Sequence, residues 1–222
     1  MKDYMWRRPS YLFIPRSNMT HSQFIKMVKD ECKKNGVRFF LSKRPYVTYD
    51  RQRVNGYFID IPDPVLAVAT GQTRKQWFKV LIHEYCHMLQ WLDGAREWHN
   101  SIKAEPFWPW FAGNKKLSSK QAHKYAMYLV DVELDCERRV LKMIKDLDLP
   151  IDAGQYARNA NAYVYFYHLA LKHRRWYDIG QEPYNTPKLV ALMPAHLRGS
   201  HRSISKKMVS DFEKHLGWRK SL

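Results

Sequence analysis

The stretch TRKQWFKVLIHEYCHMLQWLDG, residues 73–94, decides how the rest of the chain is read. It contains no Pro, and its only Gly closes it, so a helix is predicted from about Thr73 to Leu92 with Gly94 as the stop. At about 100° per residue, Trp77, Phe78, Leu81, Tyr85, Met88 and Leu92 share one face, while His83, His87 and Gln90 lie opposite. Inside this helix stands His83-Glu84-Tyr85-Cys86-His87, an HExxH pattern. Two histidines four apart sit one above the other, so both imidazoles can reach a single tetrahedral zinc ion. Glu84 points about a quarter turn away, where it can take a proton from a metal-bound water. The apolar face is expected to enter a core and leave the histidines looking into a cleft.

With 222 residues and 45% hydrophobic content, the chain can build one core, arranged in two lobes, without disulfides. Three cysteines, Cys32, Cys86 and Cys136, are odd in number and widely spaced, which speaks for a reducing compartment. The first residues carry no apolar signal core, and no segment approaches the length of a membrane span. A soluble, cytoplasmic protein with no membrane partner is expected.

The net charge of +17 is uneven. Residues 1–55 hold 13 Lys/Arg against 4 Asp/Glu, residues 172–222 hold 11 against 4, and residues 56–171 are nearly balanced at 14 against 13. The metal motif thus lies in a neutral middle flanked by basic ends, which suit an anionic partner such as nucleic acid or an acidic protein, or serve solubility alone.

Residues 19–35 read as a helix that begins near Thr20 or Ser22 and ends at Gly36. Short strands follow at 37–41, 46–49, 56–61 and 66–69, and Val54-Asn55-Gly56 carries a hairpin signal. These strands predict a small sheet before the HExxH helix, with an edge to which a peptide could add. Residues 95–117 read as irregular, and their aromatic run Pro106-Phe107-Trp108-Pro109-Trp110-Phe111 is expected to pack. Ser118 or Ser119 caps a long helix to about Lys145, a further helix covers Tyr156–Trp176, and shorter ones are expected at Pro187–Met193 and Ser205–Leu216.

A catalytic zinc needs a third protein ligand. Asp93 sits where extended motifs place one, but Gln90 stands where such motifs need the Gly that turns the chain back. His99 follows His87 by twelve residues. The favoured candidate is Glu133: on the helical wheel it shares a face with Ala122, Ala126, Leu129, Val140 and Ile144, where a carboxylate requires a cation. Glu137, one turn on, is placed to accept the second ring N–H of a ligating histidine. The alternative for both glutamates is a structural ion network with arginines.

Over residues 56–145 the chain resembles the glutamate-zincins, zinc metallopeptidases whose site joins HExxH on one helix to a Glu on a later one. The Glu133 region is similar to the later helix of ImmA/IrrE-type peptidases, and the C-terminal third has the flavour of uncharacterised phage-encoded metallopeptidase-like proteins. The resemblance implies an α+β fold in a single domain, 1–222. A small mixed sheet and the HExxH helix would form an N-terminal lobe of about 1–94, a helical lobe would cover about 118–222, and zinc would lie in the cleft. It implies peptide-bond hydrolysis with His83, His87 and Glu133 on zinc and Glu84 as general base. Tyr163, Tyr165, Tyr167 and His168 lie on a helix that could reach the cleft, though aromatics at this spacing also suit a core. Two other readings are a SprT-like, nucleic-acid-associated protease with His99 as third ligand, and a non-enzymatic regulator or binding protein on a zincin fold.

Overall fold

The computed structural model describes residues 18–178, 180–197 and 199–218 of the chain. The fold is mixed α and β and divides into two compact units, one running to Ala95 and resuming at Arg139–Ile151, the other made of Arg96–Arg138 and Asp152 onward.

In the first unit, helix α1 (His21–Lys34) starts at Thr20, one of the two starts the sequence offered, through a reciprocal capping box with Gln23, and ends before Gly36 at φ +69°. Phe24, Val28 and Cys32, each four residues on from the last, form its buried stripe. Three strands make the main sheet: β1 (Arg38–Ser42) pairs in parallel with β5 (Val65–Ala69), and β4 (Gly56–Ile59) pairs antiparallel on the other side of β5. Central β5, Val-Leu-Ala-Val-Ala, is buried at every position, as a strand covered on both faces must be. The second sheet is a hairpin of β2 (Val47–Tyr49) and β3 (Gln52–Val54).

That hairpin corrects one expectation. The turn lies at Asp50-Arg51, both in the left-handed region at φ 44° and 64°, which is what a two-residue turn between right-twisted strands demands. Asn55-Gly56 carries the chain from β3 into β4, in the other sheet. Gly56 is needed there for space: a Cβ would stand 2.6 Å from Val80 Cγ1, 3.0 Å from Glu84 Cγ and 3.1 Å from the Ala67 carbonyl oxygen.

Helix α2 (Arg74–Leu92) crosses this unit and is more buried than an amphipathic reading allows. One face packs on α1, through Phe78 and Tyr85 against Phe24 at 5.4 and 6.0 Å between ring centroids and Met88 Sδ at 3.6 Å from Cys32 Sγ. A second lies on the sheet, through Val80 and Glu84 over Gly56 and Trp91 against Phe58 at 5.6 Å. The third carries His83, Cys86, His87 and Gln90, with both histidines half-buried and Gln90 fully buried.

In the second unit, residues 95–117 are ordered into α3 (Arg96–Ile102) and α4 (Phe107–Phe111), where an irregular segment was expected. Phe107, wholly buried, packs with Ala126, Leu129, Val130, Val164 and Tyr167, and this anchorage gives so short a helix its reason to form. The long helix α5 (Ser119–Asp146) is capped by Ser118 through Gln121, and α6 (Ala153–His173) by Asp152, ending at Arg174 in the left-handed conformation. Helices α7 (Pro187–Val190) and α8 (Lys206–His215) close a second core around Phe166, Leu169, Leu189 and Phe212. Buried Asn161 ties Pro194, His196 and His201 to α6, donating to the Pro194 and His196 carbonyls and accepting from His201 Nε2 at 2.7 Å. Among the described residues no helix is long and apolar enough to cross a membrane.

Candidate metal centre

Backbone hydrogen bonding four residues apart places His83 and His87 on successive turns of α2, and their side chains converge as the spacing predicts. The Nε2 atoms are 3.1 Å apart, with the rings perpendicular. Two nitrogens on one tetrahedral zinc at normal bond lengths are separated by about 3.3 Å, so this pair already has the spacing of joint ligands. The His87 Nδ1–H donates to Gln90 Oε1 at 2.8 Å, which commits the proton to Nδ1 and turns the Nε2 lone pair toward His83. Gln90 was legible only as a residue of the histidine face. Its positioning role follows from its place three residues after His87, where side chains of one helix meet.

A third donor joins them. Sγ of Cys136 and a ring nitrogen each of His83 and His87 lie within 4.8 Å of one another, a group able to hold a metal ion. Cys136 is buried and was not among the sequence candidates. It rides on α5, one turn before Arg139 in sequence.

The sequence candidates fall out as follows. Asp93 is held by Arg139. His99 is exposed in the last turn of α3. Glu133, Cys136 and Glu137 share a buried face of α5, as the wheel predicts for the two glutamates. Glu133 Oε1 accepts hydrogen bonds from the Tyr163 hydroxyl at 3.2 Å and the Tyr167 hydroxyl at 3.0 Å, both brought in by α6. Burial first, and then the charge of Glu133, pushes both phenols well above their ordinary range, so they remain donors at neutral pH. Glu84 is 8% exposed, its stem against Gly56 at the start of β4.

The donor set fits zinc. Imidazole nitrogens with a thiol or carboxylate are borderline-soft ligands, and a hydrogen bond that orients the His87 ring is in place. Comparison with protein-family models, with curated proteins and with solved structures returned no match to this chain.

Proposed function

We propose that the protein is a zinc-dependent peptidase built on the HExxH helix. The observation that carries the reading is the 3.1 Å approach of the His83 and His87 Nε2 atoms, with His87 locked by Gln90 in the tautomer a metal requires. The third donor comes from the Glu133–Cys136 turn of α5, which offers two: the Cys136 thiol in the group described above, and the Glu133 carboxylate that two tyrosine hydroxyls steady by one oxygen.

Zinc at such a set supplies Lewis-acid activation of water and of a peptide carbonyl. Glu84, between the two histidines in sequence and braced against Gly56, acts as the general base that accepts the water proton and returns it to the leaving amine. Gln90 keeps the His87 ring from rotating, and the Tyr163 and Tyr167 hydroxyls hold Glu133 in one rotamer.

The test is metal content followed by hydrolysis of an unfolded protein substrate. About one equivalent of zinc should copurify, and His83→Ala or His87→Ala should remove it. Glu84→Gln should keep the metal and lose turnover. Cobalt exchange assigns the third donor: a sulfur-to-cobalt absorption band lost in Cys136→Ser identifies the thiol, and its absence together with metal loss in Glu133→Gln identifies the carboxylate. A wild-type protein that holds no metal after zinc addition overturns the reading. One that holds zinc but cleaves nothing leaves a zinc-bound regulator in its place.

A further inference from the structure

Two aromatic and basic segments far apart in the sequence, with Trp110 and Arg174 separated by 64 positions, meet at one surface in the second unit. From α4 come Trp108 and Trp110, and from the end of α6 come Arg174 and Trp176. Trp108 meets Trp176 edge-on at 5.8 Å between centroids, and Phe111 meets Trp176 at 6.2 Å. The Arg174 guanidinium lies over the Trp110 ring at 4.7 Å and donates to the Trp110 carbonyl oxygen. A Cβ on Gly113 would stand 3.8 Å from Arg174 Nη2, so the turn that leads to Lys115 and Lys116 adjoins the guanidinium. Both lysines are exposed and form no ion pair among the described residues.

Packing does not account for all of this. Phe107 meets the hydrophobic need of α4, wholly buried, while its neighbour Trp108 remains 43% exposed and Trp110, two residues on, carries a cation held by two contacts. A single exposed tryptophan is ordinary, but one on the same short helix as the Trp110 ring that carries a fixed guanidinium, with two exposed lysines four and five residues after Phe111, offers a flat apolar surface and anion attraction together. Arg174 has five N–H donors, and a stacked guanidinium keeps its outer face and edge available to a phosphate or a base.

We propose that this surface binds single-stranded nucleic acid, a base stacking on Trp108 while Arg174, Lys115 and Lys116 take the adjacent phosphates. Only an unpaired strand can present a base face to the indole, because in a duplex those faces are already stacked. An acidic polypeptide would use the cations and leave the tryptophan idle. The net charge of +17 draws such a strand from a distance, and the surface supplies its short-range contacts.

The experiment is fluorescence anisotropy of the full chain with labelled oligothymidylate and oligouridylate of about 20 nucleotides across a salt series. Both should bind, and the tighter of the two names the natural polymer. Affinity should fall with salt by about 0.7 in log–log slope per phosphate contact, and Lys115→Ala/Lys116→Ala should reduce that slope by about 1.4. Trp108→Ala should weaken binding about tenfold at unchanged slope, and Trp108→Tyr, which keeps an aromatic face and guards against a folding defect, should restore most of it. Binding unaffected by Trp108→Ala overturns the proposal, as does a hairpin duplex bound as tightly as the single strands. A polyglutamate competitor equal in affinity and equally sensitive to Trp108→Ala overturns it in favour of an acidic protein.

Discussion

On α2 the two polar contacts of the histidines lie within a turn or so of the same helix: His83 meets His87, and His87 meets Gln90. On α5 the partners of Glu133 arrive from α6, 30 and 34 residues further along the chain. The first arrangement is a consequence of helix geometry and can be read from spacing alone. The second exists only once the tertiary fold has brought two helices together. A carboxylate held from another helix is therefore where the two regions should differ most under mutation.

The largest effect is expected from Tyr163→Phe/Tyr167→Phe. Each hydroxyl lost removes a hydrogen bond to a carboxylate, worth about 1.5–3 kcal/mol, so urea unfolding at neutral pH should show a loss of about 3 kcal/mol or more. The same tyrosines give a signature in base. Their folded-state pKa lies well above the ordinary value of 10.0, so their contribution is present below that pH and is lost as pH rises toward the folded value. Ultraviolet titration should show two phenols ionising only as the protein unfolds. A stability loss below about 1 kcal/mol in the double variant would mean that α6 does not hold Glu133, and the contrast between the helices would collapse.

Next in size is Gln90→Leu, which keeps bulk and removes the acceptor for His87 Nδ1–H. Zinc affinity should fall about 10- to 100-fold, the usual effect of losing an outer partner of a ligating histidine, with the ligands themselves intact. Competition with a metal-sensitive dye measures it. Unchanged affinity would show that the helix backbone alone orients the ring.

The same contrast explains what the sequence could and could not disclose. The HExxH helix, the capped α1, the long α5 from Ser118, and helices α6 to α8 are all governed by local spacing and caps, and their positions match the reading to within a few residues. Cys136 escaped notice because a buried cysteine is ordinarily a small apolar residue, and only its approach to two imidazoles makes it a donor. Asp50-Arg51 escaped because neither residue announces a left-handed turn, whereas Asn55-Gly56 does so and is used instead for close packing. Residues 95–117 form helices through the burial of Phe107, a tertiary gain that propensity does not register. The aromatic run at Trp108 was visible, but its meeting with the Arg174–Trp176 segment was not. The strongly basic N-terminal end falls partly on residues 1–17, outside the described residues.

Gly56→Ala tests packing within the first unit. The new methyl would meet Val80 Cγ1 at 2.6 Å, and because Val80 is stiff at its branch the helix or the strand has to shift. Overpacking of this kind costs about 1–3 kcal/mol, and Glu84 Cγ at 3.0 Å moves with it. Thermal unfolding should therefore occur at lower temperature, and turnover should drop by more than zinc content does, since Glu84 is displaced while the histidines are on another face. Equal losses of metal and turnover would place the strain on the whole helix.

The smallest effect concerns a histidine of the distant-partner type. His168 on α6 donates from Nε2 to the His201 carbonyl at 2.6 Å. Burial lowers its pKa below the ordinary 6.5, with the His123 charge acting the same way and the carbonyl acting against both. A group depressed on folding favours the neutral form, so its contribution to stability is fully present above pH 6.5 and is lost as pH falls through the lower folded value. Urea midpoints for the wild type should thus decline from pH 7 toward pH 5. In His168→Gln, which can still donate to the carbonyl but does not titrate, part of that decline should vanish. A chelator provides the control: on the proposed reading that α2 carries a metal, removing it should leave the His168 share of the acid sensitivity in place. If His168→Gln keeps the full wild-type pH dependence with the metal removed, burial of that imidazole is not what the fold of α6 makes acid-sensitive.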